Sequence, residues 1–502
     1  MEKQKKISVK PNFKQPSRPF IHTWEGLGNI DQMRWMTRKD CLAQLEEAHR
    51  DLGLNHIRAV GLFDDHLFVV GKDPKNFNTE NAPPRNNWQL IDYIFDSLLD
   101  IGINPVFTTC FMPEELASGE QYVFDTKNNV TTPRSYKAWA ELVKATLEHM
   151  ISRYGKKRMS QWYYEVWNEP NLGAFFGGTK EDFFKLWEVT WKTIKEADVD
   201  FRVGGPSTAR AEWIPEFLAY ASETKSNPDY LIAHIYNNDS EYAALSPFAG
   251  PQSDKINKSP NFLSGVINGV KKLAEEHDFN GEIHWNEWGR SWFPSDPMRE
   301  SANEAAFIVK SMAEVSQEAT YFAYWCLSDI YNQAGYGAET FHGNYGMLNL
   351  QGLKKPSYFA HQLLTKLGKE TIPADTDTNL PYSNAIVTQN KNNISVLFYS
   401  YDSEYEIDSY QETTLDAQII FDKNTGIKKV SAIPVSVLEN NILHTWKEKG
   451  SPAYLNYDER ETWKELNQLK ESSKIQVKNL DDKTLVEFKM TIPGIALLTI
   501  EL

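Results

Sequence analysis

The chain has 502 residues, 41% hydrophobic and 24% charged, with a formal net charge of −15. That length supports a large core plus an appendage, and an acidic balance without a basic patch argues against a nucleic-acid partner. The polar, basic residues 1–14 lack the apolar centre of a signal peptide, and no apolar run is long enough to span a bilayer.

In chain order, the short run 7–9 alternates apolar and polar residues and suits a strand added to a distant sheet. Eight strand-like runs follow, at 20–24, 56–62, 105–111, 163–167, 201–205, 230–236, 282–288 and 320–327. Segments with apolar residues at helical spacing lie between many of them, at 38–52, 88–99, 135–154, 181–197 and 303–315. Strand then helix, repeated about eight times, predicts an α/β fold of the (β/α)8 TIM-barrel type over 16–365. A doubly wound sheet is the competitor, but the first turn, Glu25-Gly26-Leu27-Gly28, lacks the rest of a phosphate-binding pattern. From about residue 385 the texture changes to alternating runs at 394–399, 417–421, 429–433, 486–490 and 495–500. These predict an antiparallel β-sandwich over 366–502, joined by a strand from 1–15, with one polar helical stretch at 451–473. Cys41, Cys110 and Cys326 fall on predicted barrel elements without metal-ligand spacing and read as buried thiols in a reducing, cytoplasmic setting.

The chemistry concentrates at two strand ends. Trp162-Tyr163-Tyr164-Glu165-Val166-Trp167-Asn168-Glu169-Pro170 is an aromatic and β-branched run that breaks at proline and delivers an amide and an acid, Asn168 and Glu169. The segment 282–289 has the same design, ending on Asn286, Glu287, Trp288 and Gly289. Glycoside hydrolysis needs two carboxyl groups, one as acid/base and one as nucleophile or base, and a parallel barrel collects distant strand ends on one face. Taken singly, each residue has a plainer explanation. Asn-Glu-Pro suits a solvated strand end, a lone histidine such as His234 is more often a satisfied core residue, Tyr236 and Trp325 suit packing, and Arg58 suits a buried ion pair. Their shared position at predicted strand ends favours a site.

The first motif resembles the acid/base segment of glycoside hydrolase family 39, the β-xylosidases and α-L-iduronidases of the clan A barrels. The likeness extends to Ile57-Arg58 with Gly61-Leu62, Phe111-Met112-Pro113, Leu116-Ala117-Ser118-Gly119 and Val203-Gly204-Gly205-Pro206. It continues through His234-Ile235-Tyr236, Tyr324-Trp325, Ser328-Asp329, Phe341-His342-Gly343 and the tail segment 446–452. The resemblance implies a retaining mechanism with Glu169 as acid/base and Glu287 as nucleophile. It implies that Asn168 holds the sugar 2-hydroxyl, Tyr236 orients the nucleophile, His234 lines the sugar site, Trp325 forms an aromatic floor, and Arg58 steadies the carboxylate pair.

The chain departs from the family's xylosidases in three places. It has Val60 where they commonly carry histidine, Tyr331-Asn332-Gln333 where they tend to carry an acidic pair, and Asn286-Glu287-Trp288-Gly289-Arg290-Ser291-Trp292 around the nucleophile. Losing a hydrogen-bond partner costs affinity for the sugar that needs it. The expectation is therefore a retaining exo-glycosidase of short oligosaccharides, β-xylosidase-like with an altered sugar subsite, in which Trp288, Arg290 and Trp292 are new lining residues. The alternatives are a β-glucosidase, arabinoside-releasing or uronidase activity, and a carbohydrate-binding protein without catalysis. The reaction implies no metal or cofactor. The expected partner is the oligosaccharide, without nucleic acid or membrane, and relatives suggest a homo-oligomer.

Overall fold

The computed structural model describes residues 5–71, 85–239, 262–333, 335–407, 413–422 and 425–502. Eight parallel strands form one sheet: β1 Gly26–Gln32, β2 Leu54–Val60, β3 Asn104–Thr109, β4 Tyr163–Val166, β5 Arg202–Thr208, β6 Tyr230–Tyr236, β7 Glu282–Gly289 and β8 Tyr321–Tyr324. They neighbour one another in chain order, and β8 returns to β1 through the Phe322 amide on the Thr23 carbonyl (2.8 Å) and the Leu327 amide on the Asn29 carbonyl (2.9 Å). A helix follows each strand: α1 Lys39–Leu52, α2 Gln89–Ile101, α3 Tyr136–Tyr154, α4 Lys180–Ala197, α5 Ile214–Thr224, α6 Phe262–Glu276, α7 Ala302–Val315 and α8 Pro356–Leu364. This is the (β/α)8 barrel expected from the periodicity.

Local chemistry accounts for several boundaries. Ser135 caps α3 through the Ala138 amide, and Thr179 and Asp182 form a capping box on α4. Gly53 and Gly102 close α1 and α2 in the left-handed conformation that glycine tolerates best.

The first strand corrects the sequence reading. The run 20–24 is not a strand, although Phe20 and Trp24 are buried; β1 begins at Gly26, in the segment read as a turn. Two glycines sit there because neighbours crowd them. A Cβ on Gly26 would lie 2.7 Å from the Tyr321 ring, and one on Gly28 would lie 2.8 Å from Leu54.

The barrel floor is plugged by aromatics. Tyr163, Tyr230, His284 and Tyr321 meet with ring centroids 4.4–5.9 Å apart. Chemistry is thereby confined to the opposite, carboxyl-terminal face of the strands.

Beyond the barrel the described residues form two larger sheets. One orders Ala374–Thr378, Lys6–Pro11, Thr413–Asp422, Lys483–Ile492 and Ile475–Asn479; the other orders Arg18–Pro19, Glu370–Thr371, Ser383–Asn390, Asn393–Ser400, Gly494–Glu501 and Lys429–Ser436. Strand alternation divides their apolar residues. Ala496, Leu498 and Ile500 join Val396, Phe398, Phe488 and Met490 in a core of their own, whereas Ile495 and Leu497 belong to the barrel's core. Lys6–Pro11 runs parallel to Thr413–Asp422, so the pairing is not purely antiparallel: a strand arriving from the far end of the chain is not bound to hairpin geometry. The polar stretch 451–473 contains the helix Tyr457–Leu466.

Candidate active site

Arg58 points into the barrel from β2 and is fully buried. Its guanidinium grips Glu165 of β4 with two hydrogen bonds of 2.7 and 3.0 Å, donates to Asn168 Oδ1 at 2.6 Å and reaches Glu287 Oε2 at 3.4 Å. Glu165 also accepts from Thr108 at 3.1 Å, Asn286 at 3.2 Å and the Ser207 hydroxyl. Burial alone would raise the Glu165 carboxyl, but Arg58 and Ser207 hold it below the ordinary glutamate value. A charged Glu165–Arg58 pair thus lies beneath the two strand-end acids.

Glu169 follows β4 in a tight turn. Trp167 and Glu169 both have left-handed φ (67° and 47°), and the Glu169 amide donates to the Ser207 carbonyl at 2.8 Å. This irregular backbone, uncommon outside glycine, turns Asn168 and Glu169 toward the barrel axis. Because Arg58 occupies Asn168 Oδ1, the amide nitrogen is the end left to donate to a ligand.

Glu287 comes from β7, in register with His234 of β6. The Tyr236 hydroxyl donates to Glu287 Oε1 at 2.6 Å. His234 Nδ1 lies 3.0 Å from Glu169 Oε1 and 3.5 Å from Glu287 Oε2. One carboxyl oxygen of each acid and one ring nitrogen of His234 all fall within 4.8 Å of one another. That matches the close carboxyl spacing of about 5–5.5 Å in double displacement, not the about 6.5–9.5 Å that leaves room for an in-line water.

Electrostatics distinguish the acids. Burial pushes Glu169 up to about 7, against the pull of Arg58 and Arg210. Burial and the neighbouring Glu169 also raise Glu287, but Arg58 and the Tyr236 hydroxyl oppose them. Tyr236 is pushed well above an ordinary phenol, chiefly by burial, and stays a donor. Burial drives His234 down to about 4, so its ring is neutral at neutral pH.

Above this group is a cavity of about 300 Å³, at the small end for ligand pockets. Asn168, Glu169, Tyr236, Glu287 and Trp325 line it, as do Val60, Tyr331, Gln333 and Trp292. Three expected residues lie elsewhere. His234 is fully buried below the two acids and does not line this cavity. Trp288 stacks on Phe322 at 4.0 Å, outside the barrel, its ring turned away from the cavity that Glu287 lines. Arg290 is held by Glu304 (2.7 Å) and Asp296, leaving its charge committed to structure.

Glu165 and Arg210 were missed. An acid inside an otherwise apolar strand was the available signal for Glu165. Arg210 had none, since it reaches the cavity from a loop in which Arg210, Ala211 and Trp213 all take left-handed φ.

No helix among the described residues is long and apolar enough to cross a membrane. The family model for glycosyl hydrolases family 39 matches residues 5–481. The chain is 32% identical over 472 residues to a β-xylosidase of Caldicellulosiruptor saccharolyticus, covering 94% of this chain and 93% of that one. It is 28% identical over 440 residues to a β-xylosidase of Geobacillus stearothermophilus, covering 87% and 84%. A solved structure of a GH39 β-xylosidase from Caulobacter crescentus aligns with a TM-score of 0.80 at 25% identity, covering 99% of this chain and 100% of that one. A match running nearly end to end, over a barrel whose strand ends bring two acids together, shows that the chain belongs to glycosyl hydrolases family 39 and is a retaining glycoside hydrolase.

Proposed function

We propose that the protein removes single sugars from short oligosaccharides, acting as a β-xylosidase-like enzyme with Glu287 as nucleophile and Glu169 as acid/base. The observation that carries this reading is the close pairing of two buried carboxyls, both raised by burial, of which Glu287 is the one that accepts from a phenol and a guanidinium. Glu287 accepts from Tyr236 and Arg58, which favours the charged nucleophile, while Glu169 is held up to about 7, which favours a proton donor. Glu287 attacks the anomeric carbon as Glu169 protonates the departing oxygen; water, deprotonated by Glu169, then releases the sugar. Asn168 donates to the 2-hydroxyl, and Trp325 supports the ring. The cavity's size favours one sugar at the cleavage point and therefore exo action.

Val60, Tyr331 and Gln333 line the cavity at the positions that depart from the xylosidase pattern, which supports a sugar subsite altered in detail. A uronidase reading loses its support from Arg290, whose charge is taken up by Glu304 and Asp296. The three buried, unpaired cysteines favour a reducing, cytoplasmic location. We also infer a catalytic unit over 16–365 and a supporting sheet unit over 366–502.

The test is hydrolysis of a panel of 4-nitrophenyl glycosides by the wild type and Glu287→Ala. Release from β-xyloside or a close pentoside, lost by a factor of about 10⁴ or more in the variant, is the expected result. Equal activity in the variant would overturn the assignment of the nucleophile. A strong preference for uronides would overturn the sugar class.

A further inference from the structure

A hydroxyl that cannot donate twice lies beneath the acid pair. Ser207, at the end of β5, places its Oγ between Glu165 Oε1 and His234 Nε2, the latter 3.3 Å away. A serine hydroxyl has one hydrogen. The fully buried Glu165 carboxylate takes it, so toward His234 the oxygen can only accept and Nε2 must carry the ring proton. The imidazole, neutral in its buried site, then has a bare Nδ1. That lone pair faces Glu169 Oε1 at 3.0 Å and Glu287 Oε2 at 3.5 Å. Such an approach is favourable only if one of the two carboxyls supplies a proton. Glu287 already accepts from Tyr236 and Arg58, which leaves Glu169.

We propose that Ser207 is a positioning residue that fixes the His234 tautomer, and that the bare Nδ1 thereby holds the proton of Glu169 between turnovers. The chain runs from Glu169 O–H to Nδ1, and from Nε2–H through the Ser207 hydroxyl to the Glu165 carboxylate. In the first half-reaction the Glu169 proton goes to the glycosidic oxygen as its bond to the anomeric carbon breaks and Glu287 bonds to that carbon. The resulting Glu169 carboxylate faces a lone pair, which strengthens it as a base. In the second half, water bonds to the anomeric carbon, the ester bond to Glu287 breaks, and the water's proton restores the Glu169–His234 contact.

Other charges bear on this chain from each neighbouring element. Glu287 of β7, Arg58 of β2 and Glu165 of β4 act on His234. Arg210, after β5, and Asp239, after β6, act with Glu169. None of them supplies a hydrogen to Nδ1.

The inference rests on Glu169 as acid/base, but its first test does not depend on activity. Neutron diffraction from deuterium-exchanged crystals near pH 6 is expected to show the His234 hydrogen on Nε2 and a hydrogen on Glu169. A hydrogen on Nδ1 would overturn the proposal and leave the glycosidase reading untouched. The second test is Ser207→Gly. Ser207 has φ 58°, so glycine removes the hydroxyl without backbone strain. Freed of Ser207, the ring can donate from Nδ1 and stabilise charged Glu169. The basic limb of the kcat/KM profile should then fall by about one pH unit. An unmoved limb in a folded variant would overturn the proposal, whereas loss of a hydroxyl with only a structural role would lower Tm and leave the limb in place.

Discussion

Glu169 has an unusual relation to stability. Its carboxyl titrates near 7 in the folded protein against an ordinary value of 4.5, so the folded state binds more protons than the unfolded state between those values. Stability therefore falls as pH rises from about 4.5 to 7, and the full penalty persists above. Glu169→Gln should raise Tm at pH 8, by the equivalent of about 1–3 kcal/mol, and change it little at pH 4.5. Thermal melts at the two pH values check this; a gain of equal size at both would rule out ionisation as the cause. Tyr236→Phe removes the phenol that donates to Glu287 at 2.6 Å. A charge-assisted hydrogen bond of about 1.5–3 kcal/mol implies a fall of about 10–100-fold in kcat/KM, with the acidic limb moving upward because Glu287 loses a donor.

At the level of strands and helices, Arg58 joins β2 to β4 and β7 beneath the acids. Arg58→Met would leave Glu165 buried without its counter-charge, a change that costs about 3–5 kcal/mol. The expected result is a markedly lower Tm and a kcat loss larger than any change in KM, measured on whatever folded fraction remains. β5 carries a steric requirement of the same kind. A Cβ on Gly204 would meet the Tyr230 ring at 2.2 Å, and that ring is pinned by its hydroxyl on the Tyr164 carbonyl at 2.8 Å. Gly204→Ala should destabilise by about 1–3 kcal/mol through overpacking, read as a lower denaturation midpoint.

The barrel and the carboxyl-terminal sheets are tied through α7 and the amino terminus. Every residue of α7 from Ala302 to Met312 is buried, because the helix lies between the barrel and the sheet that contains Gly494–Glu501. Lys6–Pro11 sits inside the other sheet, between Ala374–Thr378 and Thr413–Asp422, with Ile7 and Val9 fully buried. Deleting residues 1–12 removes two side chains of about 1.5–3 kcal/mol each and exposes two strand edges. The truncated protein should melt earlier and be cleaved by protease within 374–422 before the barrel is. Unchanged melting would show that the sheet holds without this strand.

The barrel and the two strand-end acids with their aromatic neighbours are legible in the chain. Helical and strand periodicities are local, and Asn168-Glu169-Pro170 and Asn286-Glu287 mark the ends of their strands without reference to anything distant. The sequence did not determine β1, because a glycine-rich strand looks like a turn until the Tyr321 ring and Leu54 are in place beside Gly26 and Gly28. Which neighbours of the acids line the cavity is set by the tertiary structure. Strand alternation and the packing of Phe322 turned Trp288 outward, Glu304 and Asp296 claimed Arg290, and three left-handed residues brought Arg210 to the cavity. It also placed His234 below the acids and Ser207 against its Nε2. The physical reason is that a residue's type and local spacing are written in the chain, whereas its direction and its proton partners depend on segments tens to hundreds of residues away.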